Sequence, residues 1–133
     1  MRFMLLQHYA PAENCAVPMY EWRPEDIQAH IAFQQALNAE LLERGELVDA
    51  QGLAGPEQAR LVVSDGINAP VITDGPFPEA KELLAGYRIV DVESAERAVE
   101  IAAAISAAPG ANGMPIRQPV EVRAVMSAPD PEV

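Results

Sequence analysis

The stretch APVITDGPFPEAKELLAGYRIVDV, residues 69–92, holds the reading on which the fold turns. Val71, Ile72 and Thr73 are all β-branched, and the run reads as the end of a strand. Asp74 stands where that strand stops, and its carboxylate can accept hydrogen bonds from nearby backbone N–H groups. Gly75 precedes a proline and is pushed toward extended shapes. Pro76 and Pro78 each fix φ and donate no hydrogen bond; Phe77 between them reads as an apolar anchor. Glu79 to Leu84 spell a short helical turn with Gly86 as its stop. GYRIVDV, residues 86–92, spells the next strand. The result is a stiff bend that sets where Asp74 and Glu79 point. It serves a structural corner and a binding site equally well.

Upstream, RFMLLQHY at 2–9 is a candidate first strand, and APAENCAVPMYEWR at 10–23 a long loop with Tyr20 and Trp22 near its end. A loop this long in a compact domain is often functional, or else it is a surface connection pinned by those two rings. A helix is predicted over 24–44: Pro24 suits its first turn, Glu25 and Asp26 favour its positive end, and Gly45 stops it. ELVDA at 46–50 is a short strand. Within 59–73 the runs ARLVV and APVIT flank Asp65-Gly66, a hairpin signal. Downstream, Ser94 caps a second helix on which Ala98, Ile101, Ala102, Ile105 and Ala108 follow helical spacing. Pro109-Gly110 ends it, and PVEVRAVM at 119–126 is the last strand. Residues 127–133 read as a frayed tail, leaving 1–126 as one domain.

The order is β-α-β-β-β-α-β. With the hairpin set aside as an extra arm, it is the split βαβ plan of a ferredoxin-like α+β fold: two helices on one face of an antiparallel sheet. RFMLLQ and VEVRAVM carry apolar residues in both registers, so the second face also needs a cover. A second copy of the chain is the simplest one, and a homodimer is expected.

Composition narrows the function. The chain has 133 residues, one domain's length, half of them hydrophobic, and a formal net charge of −11. That charge argues against nucleic acid as a partner, which calls for clustered Lys and Arg. No apolar run reaches membrane-span length, and the N-terminus lacks a signal-peptide pattern. The single cysteine, Cys15, excludes an internal disulfide framework and suits a reducing cytoplasm; Glu13 nearby does not activate it. Two histidines and one cysteine make no zinc site, although a His–carboxylate site for another metal stays open. No phosphate loop, dinucleotide fingerprint or nucleophile elbow is present, and no cofactor is expected.

On the wheel of the first helix, Ile27, Ile31, Phe33, Leu37, Leu41 and Leu42 share a broad face, with His30 and Gln34 near its middle and four apart. Two readings follow. His30 is a core histidine with one satisfied hydrogen bond, or it lies in a pocket between helix and sheet as acid, base or ligand holder, with Gln34 beside it. His8 ends the first strand and either reaches the same end of the sheet or faces solvent. Arg123 shares a sheet face with Glu121; it pairs across an interface or holds an anionic ligand.

Thr73-Asp74-Gly75-Pro76-Phe77, followed by Glu79, Lys81-Glu82, Gly86-Tyr87 and Asp91, with the opening Met1–Leu6 and the ending Val120–Met126, resembles the DGPF branch of the YCII-related proteins. The resemblance spans nearly the whole chain. It implies a ferredoxin-like domain of the dimeric α-β barrel type that pairs through its sheets, and no settled activity. Related proteins carry a histidine–aspartate pair in their active sites, one relative removes chloride from a hydroxylated aromatic ring, and many members of the branch are encoded near sigma factors. By that likeness His30 and Asp74 are the candidate catalytic pair; Gln34, His8, Phe77 and Arg123, from their own places in the pattern, are the candidate ligand-binding residues. The expected function is acid–base chemistry on a small cyclic or aromatic molecule. The alternative is a non-catalytic dimeric module that binds a ligand or protein, linked to sigma-factor regulation; a purely structural dimer stays open as a third reading.

Overall fold

The chain runs β1 (Arg2–His8), α1 (Pro24–Glu43), β2 (Leu47–Gly52), β3 (Arg60–Val63), β4 (Val71–Asp74), β5 (Leu84–Asp91), α2 (Ala95–Ser106) and β6 (Val120–Ala124) in a computed structural model that describes residues 1–8, 19–75 and 84–126. Phe77 with the rest of the corner from Pro76 to Leu83, Cys15 and the loop around it, the tail from Ser127, and the side chain of Tyr20 lie outside the described residues.

β1 pairs antiparallel with β5 on one side and with β6 on the other, and β5 pairs antiparallel with β2, giving the order β2-β5-β1-β6. With the β3–β4 hairpin set aside this is the expected ferredoxin-like α+β plan. Residues facing each other across the ladders share a side of the sheet. Phe3 faces Val90 and Ala124; Leu5 faces Arg88 and Val122. Phe3, Leu5, Val90 and Val92 are buried against Leu41 of α1 and Ala98, Ile101, Ala102 and Ile105 of α2. α2 follows its spacing closely. Its four core residues form one stripe, Ala108 beyond its end is also buried, and the Ser94 hydroxyl caps it by accepting from the Arg97 N–H at 3.2 Å.

α1 departs from expectation. Ile31 and Leu42 are exposed, at 47% and 66%. Leu37 and Leu41 do pack inward, but the stripe that faces the sheet in the first half of the helix is polar: His30, Gln34 and Asn38 border a cleft there. Successive positions differ by about 100°, so an inward stripe through 30, 34, 38 and 41 turns 31 and 42 toward solvent. The first turn is fixed by Asp26, whose carboxylate accepts the Asn112 N–H at 3.0 Å and faces the Arg23 guanidinium at 3.3 Å.

Gly86 does not stop a helical turn. β5 begins at Leu84, and Gly86 lies inside it opposite Gly52. A Cβ there would come within 2.8 Å of the Gln51 carbonyl oxygen, so the close approach of β2 demands a glycine.

β3 and β4 form a sheet of their own, with Val62 opposite Ile72 and Val63 opposite Val71. Their connection is organised by Asp65, whose carboxylate accepts from the N–H groups of Ile67 and Asn68 and from the Asn68 amide. These bonds hold its carboxyl down at about 2.

Candidate functional site

Arg88 sits mid-strand in β5, in phase with Gly86 and Val90, so the pleat turns its side chain to the helix side. It is 3% exposed. A guanidinium only donates. Its Nε–H goes to Asn38 Oδ1 at 2.7 Å, one Nη–H to Gln7 Oε1 at 3.1 Å and another to Gln34 Oε1 at 2.5 Å. Among the described residues it has no carboxylate partner; its three acceptors are neutral amides. Burial therefore lowers its pKa with nothing to offset it, although a guanidinium this basic stays charged at neutral pH.

His30 stands one helical turn before Gln34 on the same stripe. Its Nδ1 lies 2.9 Å from the Pro109 carbonyl oxygen. A carbonyl can only accept, so Nδ1 carries the proton, and in the neutral ring Nε2 holds the free lone pair. The ring packs T-shaped against Trp22, with centroids 5.6 Å apart and planes at 78°. Trp22 in turn fits because residue 110 is glycine: a Cβ there would lie 3.2 Å from the indole and 2.5 Å from a methyl of Ile116. The loop after α2 thus both fixes the imidazole's tautomer and seats the aromatic ring beside it.

His30, Gln34, Asn38, Gln7 and Arg88 converge on one cleft of about 430 Å³ between α1 and the sheet, walled also by Met19, Leu53, Ala50 and Ala85. A hollow of about 620 Å³ lies at the other end of β1 beside Met1, Arg2 and Asp91. There Asp91 lies 3.0 Å from the N-terminal ammonium and 3.9 Å from Arg2. The smaller cleft is the one that gathers the polar side chains of α1 and the sheet. Among the described residues no group of three or more His, Cys, Asp or Glu is placed to hold a metal ion, and no helix is long and apolar enough to cross a membrane.

Of the residues singled out in the sequence, His30 and Gln34 meet at this cleft. Asp74 does not line it; it ends β4 on the hairpin, 82% exposed, with Arg60 across the ladder at 3.7 Å. His8 and Arg123 lie on the opposite side of the sheet, joined through Glu121: His8 Nε2 is 3.1 Å and Arg123 Nε 3.6 Å from its carboxylate. The Arg123–Glu121 pair thus closes within one chain. Phe77 is outside the described residues. The sequence reading passed over Arg88, Gln7 and Asn38. The signal for them was available: Arg88 shares its phase with Val90, and Asn38 extends the His30–Gln34 spacing by one more turn.

The model of the YCII-related domain matches residues 1–118, which bears out the family likeness read from the sequence. No curated protein matches the chain.

Proposed function

We propose that this chain, which belongs to the YCII-related domain family, binds a small molecule in the cleft between α1 and the sheet and acts on it by proton transfer. The observation that supports this is the convergence, on one hollow with partly apolar walls, of an imidazole of assigned tautomer and a buried guanidinium. His30 Nε2 is the proton acceptor and, once protonated, the donor. The Pro109 carbonyl orients the ring, the part a carboxylate plays in a catalytic pair. The reaction class is lyase- or isomerase-like: a proton taken from carbon by His30 is returned at another atom, or its electron pair expels a leaving group that His30 protonates. The test is deuterium uptake from D₂O into a panel of cyclic and aromatic hydroxy and oxo compounds, charged and neutral. Wild-type protein labels at least one compound, and His30→Ala, folded by circular dichroism, labels none. Equal labelling by both proteins overturns the proposal.

A second reading, a dimeric binding module, draws on a different feature. Leu61, Val62, Val63, Val71 and Ile72 are each more than half exposed, and Ile67 is 90% exposed. They alternate to both faces of a two-stranded ribbon, and a ribbon on its own is marginal in water. A second copy of the chain covers it in this reading. Sedimentation velocity tests it: the wild type runs as a dimer, and Val62→Lys with Ile72→Lys runs as a folded monomer. A wild type that stays monomeric at high concentration excludes it.

A further inference from the structure

We infer that the cleft selects a small monocarboxylate, held by the inward-facing edge of the Arg88 guanidinium with its apolar body against Met19 and Leu53. This deepens the cleft reading above and rests on it.

The argument is one of donors and acceptors. Three of the five guanidinium N–H groups are taken by Asn38, Gln7 and Gln34. The two left over, one on each Nη, are the donors that the paired oxygens of a carboxylate would take. Arg88 also dictates how the amides lie. Each must turn its oxygen to the guanidinium, so each NH₂ group points away from it. The Gln7 amide spends a donor on Gln118 at 3.4 Å. Among the described residues the NH₂ groups of Gln34 and Asn38 have no acceptor. Beside the guanidinium the described side chains are therefore rich in donors, and a free side-chain acceptor of the cleft, His30 Nε2, lies one helical turn away from Gln34. A group that only accepts fits next to Arg88; an ammonium, which only donates, does not.

Charge points the same way. A buried cation without a counter-ion is costly, and a bound anion relieves that cost. The protein carries a net charge of −11, so its overall field disfavours anions. An anion binds only where a local cation is desolvated enough to prevail, and Arg88 is the buried arginine of the described chain. One guanidinium matches one negative charge. Among the described residues that line the cleft there is no second arginine or lysine of the kind a phosphate dianion calls for.

The probes are benzoate, benzamide, benzylamine and inorganic phosphate, followed through the His30 ring signals by NMR. Benzoate is expected to shift those signals and to bind at least about tenfold more tightly than benzamide, the loss expected when a charged hydrogen-bond partner becomes neutral. Benzylamine is expected to leave them unmoved. Arg88→Lys, which keeps the charge but loses the two-pronged geometry, should weaken benzoate by about tenfold; the comparison of probes on wild-type protein stands even if that variant does not fold. Benzamide binding as well as benzoate, phosphate binding more tightly than benzoate, or a folded Arg88→Lys of unchanged affinity each overturns the carboxylate assignment while leaving the cleft reading intact. If no probe moves the His30 signals, the cleft reading falls and the carboxylate with it.

Discussion

Arg88 and Asn38 are joined at 2.7 Å by an N–H of the guanidinium and the side-chain oxygen of the amide, a charge-assisted bond that ties the inner strand β5 to α1. It spans the gap between helix and strand at one side of the cleft. Replacing Arg88 by Met removes a desolvated charge but leaves three amide oxygens without their donor. Water entering the cleft replaces part of what is lost, so the net cost is expected to be about 1–3 kcal/mol. Urea denaturation measures it. A variant as stable as the wild type would show that relief of the buried charge outweighs the amide bonds.

Acid stability has a stated sign. The Arg97 guanidinium, 2.9 Å from Glu46, holds that carboxyl below its ordinary value. The Asn112 N–H and Arg23 do the same for Asp26. A carboxyl depressed in the folded state contributes stability above its unfolded pKa and loses it as pH falls through the folded one. The urea midpoint is therefore expected to drop as pH falls below about 4.5. Glu46→Gln should be the less stable protein near pH 7, with the gap closing as the wild-type carboxylate protonates. A gap that widens toward acid contradicts this assignment.

Gly110→Ala acts on the site from outside it. The new methyl would meet the Ile116 side chain and the Trp22 indole, and Trp22 must move to admit it. Overpacking of this kind costs about 1–3 kcal/mol. A shift of the His30 ring signals should accompany the loss, because Trp22 is the ring against which His30 rests. NMR of the variant reads both effects.

Ser94→Ala removes the hydroxyl that accepts the Arg97 N–H at 3.2 Å. The expected loss is about 1 kcal/mol, with no change in the His30 signals, since the cap serves α2 and not the cleft. Thermal unfolding beside an NMR spectrum separates this variant from Gly110→Ala.

The elements differ in how far their sequences disclose them, and the reason is physical. α2 is plain because burial and helical period coincide: Ala98, Ile101, Ala102 and Ile105 are apolar, inward and evenly spaced. α1 misleads because its inward stripe is polar where it borders the cleft, so a rule that places apolar residues inside puts Ile31 and Leu42 on the wrong side. Gly86 misleads for a similar reason. Glycine is read as a stop on backbone freedom alone, yet here it answers the nearness of another strand. His30 and Gln34 could be found, since polar residues on a helix's inner face demand partners. Arg88 escaped notice because an arginine in a strand suggests solvent; only its phase with Val90 says otherwise. Which partners satisfy it depends on pairings 50 to 81 residues apart along the chain.

Those long separations bear on the speed of unfolding. Gln7, Gln34 and Asn38 reach Arg88 only once β1 and α1 have docked against β5, and the knot is expected to close late in folding. Interactions that form after the rate-limiting step slow the escape from the native state and barely touch the approach to it. Loosening the knot should therefore raise the rates along the unfolding limb of a chevron without changing its slope and leave the refolding limb in place, making this cluster of amides a brake on the decay of the folded chain.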